Sequence, residues 1–261
     1  MRRPAAPAVG AATAAGSSGA GRGFFASTAA AVESLFLDSV EVEPAAEGAV
    51  PIDRRPVVCV FGLARGCGVT VVARALAAEL ATRDSTGAAA VHGGGSRAGA
   101  PVATRTAAGL AGILPLATHA GTALARVLED VPRAAPRAVG RLCLVGGEPH
   151  RVVDTARYHA PVVVDAGSEA LGGAAAALAD RAVIVTSRDV EPALARVATD
   201  CIARVGPPPV VVLNRAPHDQ PGLFALPNSP LGARLALGGR EARGELGRAV
   251  AELADLLEED P

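Results

Sequence analysis

An apolar run, Val57-Val58-Cys59-Val60-Phe61, leads into Gly62, Gly66 and Gly68, and Thr70 follows at the head of an amphipathic stretch. Strand, glycine loop and helix in that order make a place for an anion. Glycine admits positive φ and close backbone approach, and the first helical turn offers unpaired N–H groups and the positive end of its dipole. Arg65 adds a fixed positive charge inside the loop. The chemistry this suits is phosphate binding, with the Thr70 hydroxyl available to a metal ion beside the phosphate. The same spacing also describes a tight turn that holds nothing. Cys67 has two readings: a redox-responsive thiol at a helix N-terminus beside an arginine, or simply a small residue that fits the loop.

Three later positions could act with the loop. Asp165 closes the apolar run Pro161–Asp165, and Asn214 closes Val210–Asn214 with Arg215 behind it. A strand-end acid can hold Mg²⁺ through water or merely cap a loop, and Asn is common in turns. What the chain lacks is equally informative. Of its 261 residues, 25 are Lys or Arg, and every one of these is Arg, so no mechanism can use a lysine ammonium. The five His are scattered, and the four Cys (Cys59, Cys67, Cys143, Cys201) form no CxxC pair. This gives no support to zinc and predicts buried, reduced thiols. The net charge of -1 and the absence of a dense Arg cluster argue against nucleic acid. The chain ends in acidic residues, which repel anionic lipid, and no apolar stretch is long enough to span a bilayer. Met1-Arg2-Arg3 is followed by Pro, Ala, Gly and Ser rather than a compact apolar region, which predicts no secretory signal and a cytoplasmic protein.

The elements that must position these residues follow from pattern. Val57–Phe61, Ala88–His92, Arg141–Val145, Pro161–Asp165, Ala182–Thr186 and Val210–Asn214 are near-continuously apolar, as strands covered on both faces are. Helical sequence lies between them at Thr70–Thr82, about 117–128 and Glu191–Val205, and a last helix at Glu241–Glu259 carries a stripe of Leu246, Val250, Leu253, Leu256 and Leu257. Alternating strand and helix imply right-handed crossovers and an α/β, doubly wound, mainly parallel sheet with helices on both faces. Gly93–Ala100 and Val131–Arg137 read as loops or poorly ordered insertions. Residues 1–52 are rich in Ala, Gly, Ser and Pro and read as a mostly disordered tail, with a short helix at 24–40 as its one apolar island. The domain proper is 53–261.

The loop resembles the deviant P-loop of the MinD/ParA family of ATPases, with Gly66, Gly68 and Thr70 on matching positions and Arg65 on a glycine position. It also fits the Gly-x-x-x-Gly-x-Gly loop of short-chain dehydrogenases through Gly62, Gly66 and Gly68. That family needs a Tyr with a Lys four residues on, and here the sole tyrosine, Tyr158, is followed at that distance by Val162. The MinD/ParA resemblance extends from about Pro56 to Leu257. Pro161–Gly167 resembles the strand that ends in the Walker B acid, and Ala179-Asp180-Arg181 precedes a strand ending in Thr186. Val210–Arg215 is similar to the strand whose terminal Asn and basic residue contact adenine, and Leu226-Pro227-Asn228 stands where relatives line the base. The resemblance implies a P-loop NTPase-like fold, ATP or ADP with Mg²⁺ as ligand, and a homodimer. It implies nucleotide contacts from Arg65, Gly66, Cys67, Gly68, Val69, Thr70, Asn214, Arg215 and Pro227, and Mg²⁺ held by Thr70 and Asp165, with Asp165 also catalytic.

The chain departs from the family at charged positions. The P-loop Lys and the signature Lys fall on Val69 and Ala64, the acid after the second strand falls on His92, and the Pro after the Walker B acid falls on Ala166. Losing the P-loop Lys removes a stabiliser of transition-state charge. Three functions stay open at this stage. One is a nucleotide-binding switch or positioning protein with weak or absent ATP hydrolysis. The second is a pseudo-ATPase that serves as an interaction scaffold. The third is a Rossmann-type NAD(P)-binding protein without the Tyr/Lys pair.

Overall fold

The computed structural model describes residues 54–92, 119–168, 173–216 and 223–259. The tail with its expected helix at 24–40, and the stretch Gly93–Ala100, lie outside these described residues. Among the described residues eight strands form one sheet: β1 (Val57–Gly62), β2 (Ala88–His92), β3 (Ala135–Val139), β4 (Leu142–Gly146), β5 (Val162–Gly167), β6 (Arg181–Thr186), β7 (Pro209–Ala216) and β8 (Phe224–Pro227). Their order is β3-β4-β2-β5-β1-β6-β7-β8, and every pairing is parallel except β3 with β4. The helices are α1 (Val69–Arg83), α2 (His119–Glu129), α3 (Pro149–Ala156), α4 (Gly173–Leu178), α5 (Pro192–Val205), α6 (Pro230–Leu237) and α7 (Gly244–Glu258).

The continuous apolar runs have their cause in the two-sided burial of the sheet. All six residues of β1 are buried, and they alternate between two cores. Val58 and Val60 face α1, α6 and α7, where Leu76, Ala236, Val250 and Leu253 are all almost fully buried. Val57, Cys59 and Phe61 face the opposite layer, with Leu128 of α2, Val152 of α3 and Ile202 of α5. The expected stripe on the last helix is largely real: Leu246, Val250, Leu253 and Leu257 are buried, whereas Leu256 is 42% exposed.

The chain passes from β1 to strands on one side of it and later crosses to β6 on the other. The carboxyl ends of β1 and its neighbour β5 therefore flank the point where the winding reverses, and such a reversal opens a crevice.

One expectation is corrected. Part of Val131–Arg137, read as a loop, is strand: Ala135–Val139 pairs antiparallel with β4 through a tight turn in which Gly140 has φ 62°. β3 is an edge strand whose residues are exposed or half-buried, so backbone pairing rather than apolar burial holds it there. The short elements α3, α4, β8 and α6 were likewise not expected.

Candidate functional site

The loop between β1 and α1 is built by its glycines and the side chains packed on them. A Cβ on Gly62 would lie 2.3 Å from Cγ2 of Val69 and 2.9 Å from Sγ of Cys67, so only glycine fits beneath them. Gly66 and Gly68 adopt φ of 80° and 96°, a region costly to other residues. Gly68 is the N-cap of α1 and has no side-chain cap, which leaves the N–H groups of the first turn directed out of the helix end. Arg65 and Gly66 are exposed, whereas Cys67 and Val69 are buried.

Beside the helix start, Asp165 is 4% exposed and draws three donors together. Thr70 Oγ1 donates to its Oδ2 at 2.7 Å, His92 Nδ1 lies 3.0 Å from the same oxygen, and the Gly167 N–H donates to Oδ1 at 3.1 Å. Sheet register brings this about, because Asp165 is the partner of Val60 in β1 and of His92 in β2. Burial alone would raise the carboxyl's pKa. The hydrogen bonds from His92 and Thr70, with the His92 charge and the Gly167 N–H, outweigh it and hold Asp165 below the ordinary carboxylate range. An ionised Asp165 accepts from Nδ1–H, which leaves Nε2 as the other nitrogen of His92, buried and without a hydrogen-bond partner. A carboxylate oxygen and a hydroxyl oxygen in contact are hard donors of the kind Mg²⁺ takes, so Thr70 and Asp165 fit that ion. Among the described residues no group of three or more His, Cys, Asp or Glu gathers as a separate metal centre.

Asn214 is 7% exposed and its amide is spent on the loop. Nδ2 donates to the Cys67 carbonyl at 2.7 Å, and Oδ1 accepts from the Arg215 N–H at 2.9 Å. A Cβ on Gly68 would come within 2.1 Å of that Nδ2. In the structure, then, Asn214 is a clamp on the glycine loop. Arg215 is exposed, with a left-handed backbone (φ 58°) where the β7–β8 register shifts between Asn214 and Ala216, and Pro227 pairs with Ala216. All the residues singled out in the sequence, from Arg65–Thr70 through Asp165 to Asn214, Arg215 and Pro227, thus lie at or just beyond the carboxyl ends of the strands.

Two neighbours of the site have no part in the sequence reading of it. His92, at the position where the resemblance expects an acid, bonds Asp165 instead. Arg74 stands one helical turn after Thr70, is 9% exposed, and donates from Nη1 to the Leu237 carbonyl of α6 at 2.6 Å. Burial pulls its pKa down and Asp165 pushes it up. A charged residue inside the apolar stretch Val72–Leu76 was the sequence signal that could have found it.

No protein-family model matches the chain, and no curated protein matches it either. Solved structures do. The ParA family ATPase from Chlorobium tepidum TLS is 16% identical, with the match covering 77% of this chain and 98% of that one at a TM-score of 0.53. The MinD cell division protein of Aquifex aeolicus is 15% identical, covering 79% of this chain and 98% of that one at a TM-score of 0.52. At such identities the likeness concerns fold, and it agrees with the doubly wound, mainly parallel sheet. The chain has a MinD/ParA-like, P-loop NTPase fold.

Proposed function

We propose that this chain is a nucleotide-binding switch or positioning protein that takes ATP or ADP with Mg²⁺ and hydrolyses ATP weakly or not at all. The observation that carries the reading is the 2.7 Å bond between Thr70 and an ionised Asp165 beside the glycine loop. The loop's amides at Gly66–Thr70 would hold phosphate, Arg65 would add charge from the loop's exposed side, and Thr70 and Asp165 would hold the ion. Mg²⁺ at that place would neutralise charge on the β- and γ-phosphates. Arg215 and Pro227 stand where a base would lie. Weak hydrolysis follows from Val69: a buried valine at the lysine position offers nothing to the charge that develops on the transferring phosphoryl group. Pairing of two copies is expected with ATP, without the cross-dimer lysine that Ala64 replaces.

A thermal-shift titration with ATP, ADP, GTP, NAD⁺ and NADP⁺, each with and without Mg²⁺, tests the reading. The expected result is a Mg²⁺-dependent rise in Tm with ATP or ADP, which Thr70→Ala and Asp165→Asn abolish. A flat response to every ligand rejects it.

The second reading, a pseudo-ATPase kept as an interaction scaffold, is favoured by the apolar filling of the loop. The Val69 and Cys67 side chains close over Gly62, and the Asn214 amide is used internally. It predicts the flat response.

A further inference from the structure

At the opposite end of the sheet from the glycine loop lies an open groove of about 630 Å³, lined by the starts of β1 and β6 and the ends of α1 and α7. Apolar Val58, Leu80 and Leu257 share its lining with Arg54, Arg83, Arg157 and Arg181, of which Arg181 donates to the Leu257 and Asp180 carbonyls and Arg83 pairs with Glu79, Asp255 and Glu258. The carboxylates that share the lining are already engaged. Asp180 accepts from the Val57 N–H at 2.8 Å and pairs with Arg157 at 3.2 Å. Asp84 takes the Thr86 N–H and Arg55, and Glu258 takes Arg83. Among the arginines, Arg157 keeps a buried Nε that has no hydrogen-bond partner. Arg54 is exposed, 5.6 Å from the centroid of the Tyr158 ring.

We propose that the acidic run Asp38–Glu47 of this same chain docks in the groove as an extended segment. Three observations converge on that occupant. The first is tethering: Arg54, the first described residue, lines the groove, and Glu47 precedes it by only seven residues. An extended chain covers about 3.3–3.6 Å per residue, so that spacer reaches across the groove. Tethering at this length also keeps the segment at an effective concentration on the order of millimolar. The second is charge. From Gly23 to Ile52 the chain carries five acids (Glu33, Asp38, Glu41, Glu43, Glu47) and no base. The third is pattern. Val40-Glu41-Val42-Glu43 alternates with a period of two, which puts two valines on one face and two carboxylates on the other when extended. Such a segment matches a lining shared by apolar residues and arginines.

Amide hydrogen exchange on the full-length protein, read by mass spectrometry, tests this. Residues 38–47 are expected to exchange about tenfold or more slower than an unstructured chain. The protection should vanish in Glu41→Gln/Glu43→Gln/Glu47→Gln and in Arg54→Ala, and also in about 0.5 M salt, where charge pairs are screened within a few ångströms. The acidic substitutions lie outside the described residues, and Arg54→Ala removes an exposed side chain, so the melting of the protein itself reports whether the fold is intact. Exchange at the unstructured rate in the wild type overturns the proposal, as does protection that survives neutralisation. Protection that grows with protein concentration overturns it in favour of docking on a second copy.

Discussion

At the scale of single residues, the proposal turns on Val69, the buried apolar side chain at the start of α1. Val69 is 7% exposed, and its Cγ2 packs directly over Gly62. A lysine stem could follow the same path, because its first methylenes would occupy the volume of the valine and carry the ammonium on toward the loop mouth. Val69→Lys therefore tests whether the remaining cradle is competent. If Gly66–Thr70 still offers its amides to phosphate, one charge-assisted contact should strengthen ATP binding by about 1.5–3 kcal/mol, tenfold to a hundredfold or so in Kd. Fluorescence titration with a labelled ATP reads this. An unchanged or unmeasurable affinity would mean that the loop does not offer its amides to phosphate, and the scaffold reading would stand.

At the scale of elements, the junction of β1, α1 and β7 depends on two glycines in different ways. Gly66 and Gly68 both have positive φ, but a Cβ on Gly66 meets nothing within 4 Å, whereas one on Gly68 collides with the Asn214 amide that clamps the loop. Gly66→Ala should thus cost only the backbone term, about 1 kcal/mol, and Gly68→Ala about 2–4 kcal/mol, because the clamp must also give way. Urea denaturation of both variants measures the difference, and equal losses would show that the Asn214 bond contributes nothing. The elements also explain what could be read in advance. β1, β2, β5 and β6 were legible because burial on both faces forces a run of apolar residues. β3 was not, since Pro136 and Arg137 sit on a half-exposed edge where no apolar pattern is required. The loop glycines, Thr70 and Asp165 were legible from type and order. The Asp165 contacts to Thr70 and His92 join residues 95 and 73 positions apart, and only strand register decides them. Asn214 shows the limit most clearly: its place at a strand end was visible, but its hold on the Cys67 carbonyl was not.

At the scale of the whole molecule, composition and packing together give the fold a distinctive alkaline behaviour. Cys59 is fully buried on the α2–α5 side of the sheet, where its thiol lies 3.1 Å from the Ala175 carbonyl. Burial, helped by the negative charge of Asp180, pushes its pKa up from 9.0 to about 12. Burial raises Cys143 likewise to about 12, against a backbone hydrogen bond that lowers it. In the unfolded chain both thiols lose their protons near the ordinary value, while in the folded chain they keep them. The folded state therefore binds more protons between pH 9 and 12, and its stability must fall as pH rises through that window. The contribution is fully present below the unfolded value of 9.0 and lost progressively toward about 12. In most proteins lysines titrate over the same range and hide such a slope, but this chain has no lysine and one tyrosine. The expected loss is on the order of 1 kcal/mol per pH unit for each thiol, read from urea midpoints between pH 8 and 11. Cys59→Ala/Cys143→Ala should be less stable at neutral pH, because two core atoms are removed, yet lose less stability than the wild type over that range. A double variant with the same alkaline slope would show that the two thiols reach water in the folded protein, and that the core they share on the α2–α5 side of the sheet is looser than its burial implies.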